Sequence, residues 1–418
     1  MEEIDFTQNA EVIAQIEQIR SFCQGKRFSD VMDDEGLQYV DLVMEGGGVL
    51  GLALVGYTYA LEQAGIRFRS TAGTSAGAIN ALLIQAMGAP NHPRSARMVA
   101  VVADMPMDSF QDGGWDGRVA VSGWLNGSFI KKLASVFLLD DLFFRQGINP
   151  GHEFLNWMSN VLKQHDVGNW QRLKAQMQQP VPGIAVHHDS DSDQDQNLQL
   201  IEPISPERWA PQLKIITAEL STTTKITLPE PDGALFYHAI EAADPAEFVR
   251  ASMSVPLFFE PYRKTDIPKA AMADAWSERG YQGCVPDEAV FVDGGVISNF
   301  PISAFHTSNR MPRMPTFGIK LGVEREAPQK INSLMHFLGA TVNIMRSDAD
   351  EEFIRANPDY KHVVKAIPTG EHHWLNFKMS DAEKVDLFIR GVKAASEFLQ
   401  TFDWAQYKET RRKLLDVT

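Results

Sequence analysis

The sequence is poor in cysteine and in positive charge, and it has no apolar run long enough to span a bilayer. Two cysteines, Cys23 and Cys284, occur among 418 residues. They cannot form a disulfide framework, so a reducing, cytoplasmic setting is expected. The formal net charge is −15, which argues against nucleic acid as a partner because phosphate binding requires basic surfaces.

Neither the start of the chain nor its most apolar stretch carries a targeting signal. Residues 1–5 are acidic and are not followed by the apolar core of a secretory signal peptide. The most apolar stretch, residues 49–61, is shorter than a transmembrane helix. We therefore expect no signal peptide and no transmembrane segment, and a protein that is cytoplasmic or peripheral at a membrane.

Two strand–helix pairs follow one another early in the chain. Residues 39–44 form a β-rich run that ends at a glycine run, and residues 49–63 have helical periodicity. Residues 66–72 form a second strand pattern, followed by a buried helix pattern over 78–87. Strand, helix, strand and helix within about fifty residues predict an α/β fold built on a mainly parallel sheet.

A candidate nucleophile lies between the second strand and the second helix. The segment Gly73-Thr74-Ser75-Ala76-Gly77 fits G-x-S-x-G, in which small neighbours let a sharp turn expose the serine hydroxyl. The helix that follows stabilises negative charge at its N-terminus. Ser75 is therefore the candidate nucleophile, and the alternative is a small-residue turn that packs a helix against the sheet.

A glycine run ends the first strand in the same way. The N–H groups of Gly46, Gly47 and Gly48 would point outward at a helix N-terminus and suit an oxyanion, each donor stabilising it by about 3 kcal/mol. With Gly51 the run also matches the dinucleotide fingerprint G-x-G-x-x-G. That motif requires an acidic residue at the end of the next strand, where this sequence has Ser75, so no nucleotide is expected.

Asp293 is the best candidate for a base. It follows the buried-strand run 289–292 and precedes Gly294 and Gly295, so it would end a strand near the nucleophile. The alternative is an Asx turn stabilised by the two glycines. Asp112, also followed by two glycines, has no preceding strand. None of the histidines lies in a compelling turn motif.

These motifs, in this order and spacing, resemble the patatin-like phospholipase family. The resemblance covers roughly residues 39–322 and includes the segments 250–259 and 296–301. It implies a three-layer α/β/α patatin-like fold around a mainly parallel sheet, with helical flanks. The further glycines that match the family pattern are Gly51, Gly73, Gly77, Gly294 and Gly295. One departure is Leu50, since many relatives carry Arg or Lys there.

The resemblance also implies a mechanism and a substrate. Asp293 would accept the proton of Ser75, the serine would attack an ester carbonyl, and Asp293 would then activate water to release the acyl group. The expected substrate is a lipid or an ester at a membrane surface. No cofactor and no metal are implied, and an activating protein partner is left open.

Three segments follow from this interpretation. They are an N-terminal helical extension over 1–37, a patatin-like catalytic domain over 38–325 with a variable insertion or lid at 90–210, and a C-terminal helical region over 326–418. In the last of these, Ser380 and Glu383 predict a capping box before a long amphipathic helix. Residues 128–145 are predicted to be either a lipid-facing lid or a helix packed on the core.

Other interpretations stay open at this stage. An ester hydrolase with a Ser–His–Asp triad could use His306 or His336, and a protein that keeps the fold only to bind lipid or protein would need neither. The acidic run after His188 resembles a calcium loop, but Gln194 and Leu200 stand where such a loop has Gly and Glu. Calcium binding is therefore not expected there.

Overall fold

A computed structural model describes residues 1–113, 145–188, 201–269, 273–322 and 351–416. The helices in these ranges are α1 (Glu3–Thr7), α2 (Ala10–Cys23), α3 (Gly51–Gln63), α4 (Ala76–Ala86), α5 (Ser95–Ala103), α6 (His152–Gln164), α7 (Trp170–Met177), α8 (Pro245–Ser252), α9 (Ala273–Glu278), α10 (Asp381–Thr401) and α11 (Trp404–Leu415). The strands are β1 (Val31–Met32), β2 (Gln38–Met44), β3 (Ile66–Thr74), β4 (Gly147–Asn149), β5 (Ala185–His187), β6 (Ile201–Pro203), β7 (Leu213–Glu219), β8 (Thr224–Pro229), β9 (Leu257–Phe259), β10 (Tyr262–Thr265), β11 (Glu288–Asp293), β12 (Thr316–Leu321) and β13 (Val364–Ile367).

The centre of the fold is a parallel sheet in the order β13–β12–β2–β3–β7. Antiparallel strands extend it: β8 and β11 pair with β7, β10 pairs with β11, and β1, β5 and β6 continue from the start of β2. The prediction of an α/β fold around a mainly parallel sheet is therefore confirmed. The consecutive strands β2 and β3 are joined through α3, as in a βαβ unit.

Two strands share one edge of β7. β3 pairs in parallel with its first half, where Thr74 lies opposite Ile216. β11 pairs antiparallel with its second half, where Asp293 lies opposite Thr217. Because β3 and β11 run toward each other along this edge, their carboxyl ends meet head-on in the middle of the sheet.

The helices α3 and α10 pack with their backbones in close contact. A Cβ atom on Gly56 would lie 2.1 Å from the Phe388 carbonyl oxygen, and one on Gly391 would lie 1.9 Å from that of Ala53. Only glycine allows these backbones to approach so closely. Helix α10 of the C-terminal region is thus built into the core beside the helix that follows the glycine run.

The N-terminal and C-terminal regions both contribute strands to the main sheet, whereas the sequence predicted only helices there. Residues 1–37 hold two helices and strand β1 rather than one helix, and β1 joins the main sheet. The C-terminal region contributes strand β13 as well as helices. The sequence did not predict this strand, because its pairing partner β12 lies far away along the chain. The capping box is confirmed: Ser380 N–H donates to the Glu383 carboxylate at 2.7 Å, and Glu383 N–H donates to Ser380 Oγ at 3.3 Å.

Within the described ranges, no helix is both long enough and apolar enough to cross a membrane. Most of the predicted helix and lid at 128–145, and the acidic run from residue 189 to 200, lie outside the described residues. Helix α6 lies within the predicted insertion at 90–210.

Candidate active site

Ser75 occupies a strained turn between β3 and α4. Its backbone has φ 52° and ψ −117°, a region that costs a non-glycine residue about 1–3 kcal/mol. Its N–H donates to Ser252 Oγ at 2.9 Å, and its carbonyl accepts from Ile79 N–H at 3.0 Å. The surrounding structure therefore holds Ser75 in a conformation that it would not adopt by itself.

The glycines on either side of Ser75 are required by sterics. A Cβ atom on Gly73 would lie 2.3 Å from the backbone carbon of Gly77, and one on Gly77 would lie 2.2 Å from the Met44 carbonyl oxygen. A Cβ atom on Gly51 would lie 3.0 Å from that of Ala76. The turn can pack against β2 and α3 only because these positions lack side chains.

Asp293 ends β11 directly opposite the turn. Thr74 and Asp293 lie opposite consecutive residues of β7. Ser75, which follows Thr74, is therefore a neighbour of the aspartate in space. The carboxylate is 2% exposed and accepts from Gly295 N–H at 2.7 Å. The Asx turn considered from the sequence is therefore present, and it fixes the aspartate at the meeting point of the two strands.

Asp293 reaches the Ser75 turn end-on. Strand β11 runs antiparallel to β7, and its carboxyl end meets that of β3 along the same edge. A Cβ atom on Gly294 would lie 2.1 Å from the Ile216 carbonyl oxygen and 3.0 Å from Thr74 Cγ2. The first glycine after the aspartate thus permits the close meeting of the strands.

The glycine run lies on the other side of Ser75. A Cβ atom on Gly46 would lie 3.2 Å from the Cβ atom of Ser75. Gly46 N–H donates to the Asn299 carbonyl at 3.0 Å, so it is not available to an oxyanion. This corrects the place of Gly46 in the predicted set of donors. In the described part of the chain, the N–H groups of Gly47 and Gly48 have no protein acceptor.

Gly48 is fixed by the C-terminal region. Its φ of +56° favours glycine, and a Cβ atom there would lie 2.1 Å from the Trp374 carbonyl oxygen. The same carbonyl accepts from Val49 N–H at 3.0 Å. The loop is therefore held between Asn299 on one side and Trp374 on the other.

Asn299 is a site residue that the sequence did not single out. Its Nδ2 donates to the Gly46 carbonyl at 3.1 Å and to Glu45 Oε1 at 3.2 Å, while Glu45 Oε2 accepts from Leu321 N–H at 2.6 Å. Asn299 therefore bonds both backbone groups of Gly46: its side chain binds the Gly46 carbonyl, and its backbone carbonyl binds the Gly46 N–H. The available signal was its place six residues after Asp293, in the segment matched by family resemblance.

The segment 250–254 supports both candidate catalytic residues. Ser252 accepts from Ser75 N–H, and the Ser254 carbonyl accepts from Asp293 N–H at 2.8 Å. Arg250 donates to Ser254 Oγ at 2.5 Å and to the Pro150 carbonyl at 2.6 Å. Burial lowers the pKa of Arg250 to about 10, so the guanidinium stays charged at neutral pH.

Ser75 opens onto a largely apolar pocket, part of which is open to solvent. The walls come from α3, α4, the segment after α5 and helix α6. Met253, Val255 and Phe259 add a further part. Trp374, Leu375 and Phe377 complete the wall. These three residues come from the C-terminal region, for which the sequence offered no functional assignment, because their role depends on contacts with residues far away along the chain.

No histidine in the described ranges lines this pocket. His306 instead places Nδ1 2.9 Å from the Tyr360 hydroxyl and packs its ring against Phe353. Burial lowers its pKa. His336 lies outside the described residues. The described part of the chain also holds no cluster of three or more His, Cys, Asp or Glu placed to bind a metal ion.

The fold and the serine turn define a patatin-like α/β protein, and comparison with known families agrees. The model of the family described as patatin-like phospholipase matches residues 42–306, and the chain belongs to this family. Both Ser75 and Asp293 lie within the matched residues.

Individual relatives are more distant. The chain is 27% identical over 369 residues to the uncharacterized protein YqhO of Bacillus subtilis (strain 168), covering 88% of this chain and 100% of that protein. Among solved structures, VipD from Legionella pneumophila matches 90% of this chain and 70% of its own, with 13% identity and a TM-score of 0.39. A chain of the ExoU-SpcU complex from the type III secretion system of Pseudomonas aeruginosa also matches. The match covers 91% of this chain and 58% of that chain, with 17% identity and a TM-score of 0.35.

Proposed function

We propose that the protein is a lipid acyl hydrolase, of the phospholipase A or lysophospholipase type, with Ser75 as nucleophile and Asp293 as base. One observation carries this proposal: the strained turn that holds Ser75 opens onto an apolar pocket and faces the strand end that carries Asp293. Family membership supports the same chemistry. The substrate would be presented at a lipid surface.

Acylation begins with the Ser75 hydroxyl. As Oγ attacks the carbonyl carbon of the ester, its proton passes to the Asp293 carboxylate, and the carbonyl oxygen becomes an oxyanion. Collapse of this intermediate breaks the bond to the alkoxide, which takes the proton from Asp293 and leaves as an alcohol. Water then gives a proton to Asp293 and attacks the acyl-enzyme. The bond to Ser75 Oγ breaks, Oγ takes the proton back from Asp293, and a fatty acid is released.

The oxyanion would be held by the N–H groups of Gly47 and Gly48. The Ser75 N–H is directed to Ser252 and the Gly46 N–H to Asn299, so neither is available. Preorganised backbone donors of this kind are each worth about 3 kcal/mol of the activation barrier. Ser75 also precedes the first turn of α4, and the N-terminal end of that helix dipole stabilises negative charge on Oγ.

The pocket favours the acyl chain as the recognised group. Its walls include apolar side chains such as Val55, Ile79, Met107, Phe110 and Phe154. Each methylene buried from water contributes about 0.8 kcal/mol, which corresponds to about a fourfold gain in kcat/KM per added methylene while the pocket still has room. Charged water-soluble esters would gain nothing from such walls.

The test is release of free fatty acid from vesicles of diacyl phospholipid and from micelles of lysophospholipid. We expect release by the wild-type protein, and loss of it in Ser75→Ala and in Asp293→Asn. Ser221→Ala is the matched control, since Ser221 is exposed at the β7–β8 turn and donates to the Glu288 carbonyl.

Three results bear on the proposal. Full activity in Ser221→Ala together with folded, inactive site variants supports it. Release that survives Ser75→Ala rules out Ser75 as the nucleophile. Binding of vesicles without any release by the wild-type protein would favour a lipid-binding role and contradict the proposed hydrolysis.

A further inference from the structure

Asn80 places a buried hydrogen-bond acceptor on the wall of the apolar pocket. The residue lies on α4, five positions after Ser75, and its side chain is 3% exposed. It is one of the pocket-lining residues, together with Ser75 and Gly51. A polar side chain at this place in an otherwise apolar wall requires an explanation.

The orientation of the Asn80 amide is fixed by two carbonyl groups. Nδ2 donates to the Ala76 carbonyl at 2.9 Å and to the Gly51 carbonyl at 3.3 Å. Since only the nitrogen can donate to these oxygens, Oδ1 must point the other way. Among the described residues, Oδ1 has no hydrogen-bond partner.

An acceptor buried without a partner is costly. Such a group typically loses about 1–3 kcal/mol relative to a satisfied one, and native structures contain few of them. A single water molecule is a poor remedy, because a buried water needs about 2–4 polar partners. Apart from Ser75, the side chains that line the pocket together with Asn80 are largely apolar, as Leu52, Val55 and Ile79 are.

A substrate hydroxyl would satisfy Oδ1 with one hydrogen bond. We infer that Asn80 is a specificity-determining residue that accepts a hydrogen bond from a hydroxyl group near the scissile ester, and that the preferred substrates are hydroxyl-bearing acyl esters. This inference rests on the proposed function. Two sources share the chemistry: a free hydroxyl of the glycerol portion, or a hydroxyl on the acyl chain.

Three esters that differ in one hydroxyl test the inference. They are 1-palmitoyl lysophosphatidylcholine, its 2-deoxy analogue, and the 2-deoxy analogue with a 3-hydroxypalmitoyl chain. For the wild-type protein we expect kcat/KM to be roughly tenfold higher for one hydroxyl ester than for the 2-deoxy palmitoyl ester, as loss of one hydrogen bond to a buried acceptor predicts. The ester that gains identifies the source of the hydroxyl.

Asn80→Leu removes the acceptor and keeps the approximate shape of the side chain. We expect this variant to hydrolyse the three esters at equal kcat/KM. The comparison is a ratio within one protein, so a partly misfolded sample does not change it. Ile79→Val is the matched control on the same helix and wall, and it should keep the wild-type ratio.

Equal kcat/KM for all three esters in the wild-type protein overturns the inference, as does a hydroxyl preference that persists in Asn80→Leu. Hydrolysis that does not depend on Ser75 contradicts the proposed function instead. In that event, the role of Asn80 is tested by binding instead of hydrolysis. The affinities of Ser75→Ala for the same three esters are measured by calorimetry. Equal affinities would overturn the inference, and a preference for one hydroxyl ester that Asn80→Leu abolishes would support it.

Discussion

The backbone N–H of Ser75 donates to the Ser252 hydroxyl at 2.9 Å, and that hydroxyl donates in turn to the Ile216 carbonyl at 2.6 Å. A single buried side chain thus ties the nucleophile turn to β7. Two residues further on, the Ser254 carbonyl accepts from Asp293 N–H. The end of α8 therefore sets the relative position of Ser75 and Asp293.

Ser252→Ala should slow the reaction of Ser75 without removing any reacting atom. The change leaves the Ser75 N–H and the Ile216 carbonyl without their shared partner, which lowers the free energy of unfolding by about 1–3 kcal/mol. If the turn relaxes from its strained conformation, labelling of Ser75 by a fluorophosphonate slows by about tenfold or more. Ser221→Ala, the same chemical change at an exposed position, should label at the wild-type rate. Equal labelling of both variants would show that Ser252 does not position the nucleophile.

Gly48→Ala should disable the proposed oxyanion loop. The added Cβ would lie 2.1 Å from the Trp374 carbonyl oxygen, so the loop must move away from Ser75. We expect kcat for ester hydrolysis to fall by about 10²–10³-fold, as for loss of an oxyanion donor.

Gly36→Ala separates this clash from backbone strain. Gly36 has φ +77°, and no heavy atom lies within 4 Å of the place that an added Cβ would take. The substitution therefore costs roughly 1–2 kcal/mol of stability from left-handed strain alone. Its kcat should be unchanged. A similar fall of kcat in both variants would mean that strain, rather than displacement of the loop, explains the loss.

Trp374→Ala should weaken recognition of long acyl chains. The ring lines the pocket, and its removal exposes apolar surface that a bound chain would otherwise cover. Burial of a large apolar side chain contributes about 1.5–3 kcal/mol. Loss of that contribution should lower kcat/KM for a palmitoyl ester about 10- to 100-fold. A butyryl ester, whose short chain offers less apolar surface for the Trp374 ring to cover, serves as the control and should lose less kcat/KM. An equal loss for both esters would indicate damage to the Gly48 loop instead.

The two cysteines should differ sharply in reactivity. Cys23 lies in the core, and burial raises its pKa to about 11, so at pH 8 about one molecule in a thousand carries the reactive thiolate. Cys284 is exposed. Titration with a thiol reagent at pH 8 should therefore find one fast-reacting thiol in the folded protein and two in denaturant. Cys284→Ser should have none that reacts quickly while folded, and rapid reaction of that variant would contradict the burial of Cys23.

Local patterns in the sequence were sufficient for several elements. The strand and helix on either side of Ser75, the βαβ unit and the capping box at Ser380 all follow from period, small residues and hydrogen-bonding side chains within a few positions of one another. Local rules of this kind transfer well because their physical causes are confined to one turn of helix or one strand end.

The tertiary structure decided what those rules cannot reach. It directs Gly46 N–H to Asn299, brings β11 end-on to β3, and lays Trp374 across the loop at Gly48. Each of these contacts joins residues far apart along the chain, and each depends on strand order, strand direction and close packing of backbones. The sequence by itself therefore determined which side chains are chemically suited to the proposed reaction, whereas long-range pairing and steric fit determined which of them meet.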